Sequence, residues 1–193
     1  MLDNLVLIGI GGSGAKIVES VVHLAAVGDA PINIYPILID QDLHNGNIQR
    51  TREVIKRYKL IQDSIEGIDS KWVFKSNLTK IDDKLLPLVP EEPNNSFNAA
   101  IGYPGMSAIE QKVVQSLFCS PQREEILDKG YKKRANMGSA LFHNLIQKEE
   151  LKGETEPGLK MIVNSLKSVS KPHIVIAGSL FGGTGASGIT NIG

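Results

Sequence analysis

The sequence predicts an α/β domain in three layers, with a mainly parallel sheet held between helices. Three observations predict it. Apolar runs of strand length (Leu5 to Ile10, Ile32 to Ile39, His173 to Ala177) are separated by segments of helical spacing. The first and last runs each lead into a glycine-rich loop, Gly9-Ile10-Gly11-Gly12-Ser13-Gly14 and Gly182-Gly183-Thr184-Gly185-Ala186-Ser187-Gly188. The middle run is almost wholly apolar, as a strand covered on both faces requires, and it ends at Asp40-Gln41-Asp42.

In chain order, Leu5 to Ile10 reads as the first strand. Ala15 to Ala26 reads as a helix whose apolar face is Ile17, Val18, Val21, Val22, Leu24 and Ala25, and Gly28-Asp29-Ala30-Pro31 ends it. A strand, a glycine turn and a helix form the phosphate-holding unit of Rossmann-like topology, with the anion at the helix N-terminus. The G-x-G-x-x-G spacing is weak by itself and gains weight from this position. It is not a Walker A loop, because Gly14 is followed by Ala15-Lys16-Ile17. Ile32 to Ile39 is the second strand, expected to run parallel to the first through a right-handed crossover. Asn47 to Ile61 predicts a helix.

Trp72-Val73-Phe74 suggests a short strand, and Pro87, Pro90 and Pro93 oppose a long helix after it. Residues 84–104 read as a surface excursion over the sheet, functional or simply a mobile insertion. Ser107 to Phe118 predicts a helix opened by a capping box of Ser107 and Glu110. Pro121 opens a further helical stretch to about Lys129. Gly138 to Glu150 and Gly158 to Val169 have helical spacing, and His173 to Ala177 reads as a buried strand. Gly188 to Gly193 is too short for a helix. A phosphate loop gains from a helix behind it, so residues 1–193 are expected to be one domain from a longer protein.

With 193 residues the chain suits one domain, and its 21 basic and 21 acidic side chains give no overall field for nucleic acid. Lys129 to Arg134 reads as a solvated, charged helix end. The single cysteine, Cys119, excludes an internal disulfide and fits a packed thiol better than a nucleophile. His23, His44, His143 and His173 lack metal-ligand spacing. No serine lies in a G-x-S-x-G elbow. No apolar run reaches membrane-spanning length and no signal peptide opens the chain, so a cytoplasmic location is the expectation.

The candidate site is the set of loops at the strand ends. Backbone N–H groups of Gly11, Gly12, Ser13 and Gly14, and of Gly182, Gly183, Thr184, Gly185 and Ala186, are expected to face phosphate oxygens. The plain alternative is a pair of tight turns. Asp40 and Asp42 either contact ribose hydroxyls, hold magnesium, or cap the next turn. Lys16 either reaches a phosphate or stays solvated.

Taken together, these motifs resemble the tubulin/FtsZ family. Gly9 to Ala15 is similar to the FtsZ opening, and Gly182-Gly183-Thr184-Gly185 to the family's glycine-rich signature. Asp40-Gln41-Asp42 resembles the Asp-x-Glu on the magnesium side of the tubulin nucleotide. Arg134 to Phe142 loosely resembles the loop and helix start beside the γ-phosphate. Phe181, Ser187, Lys16 and Ser139 depart from the pattern and mark a divergent bacterial member. The resemblance implies a GTP- or GDP-binding domain, with magnesium, from a cytoskeletal protein that associates with itself at full length. It implies GTPase activity only where the family's acidic catalytic loop is supplied beyond Gly193. The competing expectations are an NAD- or FAD-binding oxidoreductase using Gly9 to Gly14 and Asp40, and a non-catalytic scaffold of the same fold.

Overall fold

The structure is a computed structural model and describes residues 3–42, 45–65, 72–79, 96–127, 131, 134–150 and 166–192. It opens with β1 (Asn4–Ile10), α1 (Gly11–Ala26), β2 (Asn33–Ile39), α2 (Gly46–Ser64) and β3 (Asn77–Leu78). Two short helices follow, α3 (Phe97–Ala100) and a 3-10 turn (Tyr103–Gly105), and then α4 (Ala108–Leu117) and α5 (Ser120–Arg123). The described part closes with α6 (Ala135–Glu150), β4 (His173–Gly178) and α7 (Gly183–Ile192).

The four strands form one sheet in the order β3-β2-β1-β4, and every pairing is parallel. Alternation along β1 sends its side chains to two different cores. Val6, Ile8 and Ile10 pack with Phe97, Met137, Leu141 and Phe142 on one face. Leu5 and Leu7 pack with Val18 of α1 on the other. Helices therefore cover both faces, as the apolar runs predicted. β3 pairs with Asn33 and Ile34, and among the described residues nothing pairs with the outer edge of β2 from Tyr35 on. That is where the sequence places Pro36, which has no N–H to give.

Several expectations are corrected. β4 is not a buried strand: it is the last in the order, with Ile174 55 % and Val175 45 % exposed. Trp72 to Phe74 is not a strand, because Phe74 has a φ of 51° and its N–H is taken by the Ala26 carbonyl. The short strand lies at Asn77–Leu78 instead. The helix from Pro121 stops at Arg123. Beyond it, Glu125 accepts from the Phe97 N–H (3.0 Å) and Ile126 bridges to Ser96, which ties this stretch to α3.

Of the excursion over 84–104, residues 84–95 lie outside the described residues. The remainder is anchored, since Phe97 is fully buried and its ring lies 4.7 Å from that of Phe118. The expected helix over Gly158 to Val169 lies mostly outside the described residues, and so do most of Lys129 to Arg134. Arg134 itself pairs with Glu125. The capping box at α4 is present: Ser107 Oγ accepts from the Glu110 N–H, and the Glu110 carboxylate accepts from the Ser107 N–H at 2.7 Å. These bonds hold the Glu110 carboxyl below its usual range.

α7 is the largest departure. A ten-residue helix runs from Gly183 through the segment read as too short for one. Its small residues let it lie close to the sheet. A Cβ on Gly188 would stand 2.6 Å from Ile10 Cγ2 and 2.8 Å from Phe142 Cζ, both buried. Gly188→Ala therefore overpacks the core, and a loss of about 1–3 kcal/mol in urea unfolding is expected. An unchanged midpoint would mean that α7 does not seat against β1.

Candidate functional site

The parallel register sets the site. Ile10 of β1 is level with Ile39 of β2 and with Gly178 of β4. The next residues, Gly11, Asp40 and Ser179, therefore leave the same edge of the sheet together. β1 lies between β2 and β4, so the chain winds outward in both directions from it. In open α/β sheets ligands bind at the carboxyl ends of the strands, where the order reverses in this way.

Both glycine loops end here as the first turns of helices, not as free loops ahead of them. α1 starts at Gly11 directly after β1, with Gly11 in the left-handed region at φ 69°. Gly14 sits against the backbone of Gly9 and Ala177, where a Cβ would strike the Ala177 carbonyl oxygen. That lack of a side chain draws the start of α1 down between β1 and β4. α7 starts at Gly183, and the position a Gly11 Cβ would take is 3.5 Å from Gly185 N. The two helix N-termini thus meet, and each carries N–H groups without intrahelical acceptors and a partial positive charge.

Between them lies an open cleft of about 180 Å³. Such a space is smaller than pockets that enclose whole ligands and suits the phosphate end of one. Of the residues singled out in the sequence, Gly11, Gly12, Ser13, Asp40, Gly182, Gly183, Thr184 and Gly185 line it. Gly14, Lys16, Asp42 and Ala186 do not. Gly14 is committed to packing, and Lys16 is exposed. Asp42 donates its N–H to Asp40 Oδ1 (3.3 Å) and so supports the neighbouring carboxylate.

The sequence reading missed Asn45, Tyr131 and Ser179, which also line the cleft. Asn45 is the N-cap of α2. Its Oδ1 accepts from the Asn47 N–H (3.0 Å), and its Nδ2 reaches Asp40 Oδ2 (3.4 Å). An asparagine ahead of a helical pattern was the available signal. Nothing in the sequence marks Tyr131.

Asp40 is the charged group of the site and is 2 % exposed. Burial raises its pKa to about 6, against the N–H groups of Asp42 and Gln41 and the Thr184 hydroxyl, which donate to it; the nearby Asp42 charge adds to the rise. Tyr131 is buried beside it, and its phenol is pushed well above its usual value by that burial and by the Asp40 charge. Gln41 lies behind Asp40, with Nε2 donating to the Leu127 carbonyl (3.1 Å).

The start of α6 is tied to α7. Ser187 Oγ donates to the Gly183 carbonyl and stands 2.9 Å from the Ala135 carbonyl, so the segment from Arg134 to Phe142 is fixed to α7. Among the described residues no three His, Cys, Asp or Glu side chains gather as a metal site, and no helix is long and apolar enough to cross a membrane. No protein-family model, curated protein or solved structure matches this chain.

Proposed function

We propose that this chain is a guanine-nucleotide-binding domain of tubulin/FtsZ-like fold, holding the phosphates of GTP or GDP between the N-termini of α1 and α7. The observation that carries the reading is the meeting of two glycine-built helix N-termini at the point where strand order reverses. A dinucleotide fold needs one such terminus for its pyrophosphate. The second, at Gly183, supports a site that grips a longer phosphate chain from two sides.

Asp40 fits magnesium. Its carboxyl is buried, no cationic side chain among the described residues lines the cleft, and the Thr184 hydroxyl lies against it. Magnesium takes one or two carboxylates and leaves its other positions to phosphate and water, so a single aspartate suffices beside a nucleotide. The cation would neutralise charge between Asp40 and the phosphates. Asp42 stands outside the cleft and holds Asp40 in place.

The chain's own contribution is therefore to bind and orient. The backbone N–H groups of Gly11 to Ser13 and Gly183 to Gly185 fix the phosphate oxygens. Hydrolysis needs, beyond this, a positioned water and stabilisation of the transferring phosphoryl group. The resemblance assigns that part to an acidic loop, and self-association to the full-length protein.

The test is thermal unfolding with GTP, GDP, ATP and NAD in parallel, each with magnesium. A ligand at 100 times its Kd stabilises the native state by about 2.7 kcal/mol. Stabilisation by GTP and GDP above ATP and NAD is expected. A response to NAD alone would favour the oxidoreductase reading, and no response to any of the four would favour the scaffold.

A further inference from the structure

We propose that the Tyr131 hydroxyl donates a hydrogen bond to a phosphoryl oxygen of the bound ligand and so selects for phosphate beside Asp40. This rests on the nucleotide reading above. Tyr131 is 3 % exposed and lies in the core with Ile10 and Met137, yet it is also one of the residues that line the cleft. Its hydroxyl is buried and has no hydrogen-bond partner among the described residues. Buried hydroxyls are nearly always paired, so one left open at the wall of a cleft points to a partner that arrives with the ligand.

The surroundings say what that partner is. The N–H groups of α1 and α7 gather anionic oxygens at this spot. The buried hydroxyl of Tyr131, a residue of the same cleft, can donate to one of those oxygens. A tyrosine hydroxyl is protonated at neutral pH and can donate. A bond from a neutral donor to a charged oxygen is among the stronger kinds.

The experiment compares wild type with Tyr131→Phe, which removes one oxygen and keeps the ring. Kd values for GTP, GDP and guanosine are measured with magnesium, and each free protein is melted. Expected are a Kd about ten-fold higher for GTP and GDP, unchanged guanosine binding, and a free-protein Tm equal to or above that of the wild type. Equal nucleotide affinities in the two proteins would overturn the proposal and leave the nucleotide reading standing. A free Tyr131→Phe protein that melts several degrees lower would also overturn it, since the hydroxyl would then have a partner without ligand. A wild type that binds neither GTP nor GDP would overturn the nucleotide reading, and the Tyr131 proposal with it.

Discussion

Replacing Gly12 by valine is expected to weaken nucleotide binding by at least about 100-fold, or ~3 kcal/mol, and to leave the chain folded. Gly12 lines the cleft at the first turn of α1. A Cβ there would stand 2.8 Å from Asn45 Nδ2 and 3.1 Å from Asn47 Nδ2, the far ends of two side chains that can swing away. The backbone is not in the left-handed region at Gly12, so a branched residue is tolerated. The added methyls then occupy the space where phosphate oxygens would meet the N–H groups. Binding is lost through exclusion, and the displaced Asn45 also loosens its hold on Asp40.

Gly14 is the contrasting position. Its missing side chain faces backbone of β1 and β4, which has nowhere to go, so substitution there damages the fold. Titration with a fluorescent GTP analogue, beside a melt of each free protein, separates the two effects. A folded Gly12→Val protein with undiminished affinity would remove the N-terminus of α1 from the site.

This difference between neighbouring glycines shows how far the sequence could be read. The G-x-G-x-x-G spacing identified the loop, but not which glycine packs and which faces the ligand, because that depends on the placement of β4. Long apolar runs gave β1 and β2 and their parallel pairing, since burial on both faces leaves a clear pattern. β3, with two residues, is too short to leave one. α7 was hidden because its first turn is made of glycines, which are poor helix formers. Here close approach to Ile10 and Phe142 outweighs propensity. Asp40 was legible from its place at a strand end. Tyr131 was not, because no motif or periodic spacing in the sequence around it points to a site.

The second large effect is expected at Asp40. Asp40→Asn should make the free protein more stable at pH 7, by up to about 3 kcal/mol, and flatten its stability between pH 4 and pH 6. In the folded chain the carboxyl titrates near 6, and in the unfolded chain near its ordinary 3.8. Between these values the folded state holds more protons than the unfolded state. Stability contributed by this group is therefore present below about pH 4 and falls as pH rises through 6. At pH 7 the folded protein carries a buried carboxylate with hydrogen-bond donors around it and, among the described residues, no cationic side chain lining the cleft. Asparagine keeps the shape and removes the charge.

Magnesium binding should suffer in the same variant, because the amide is a neutral ligand and much the weaker one. The checks are urea unfolding of both proteins from pH 4.5 to pH 7.5, and magnesium-dependent nucleotide affinity at pH 7.5. A gain in stability joined to a loss of magnesium dependence identifies a carboxylate held in a costly place for the sake of a ligand. If Asp40→Asn is less stable than wild type at pH 7, the charge is compensated within the fold, and Asp40 belongs to the scaffold of the α2 cap.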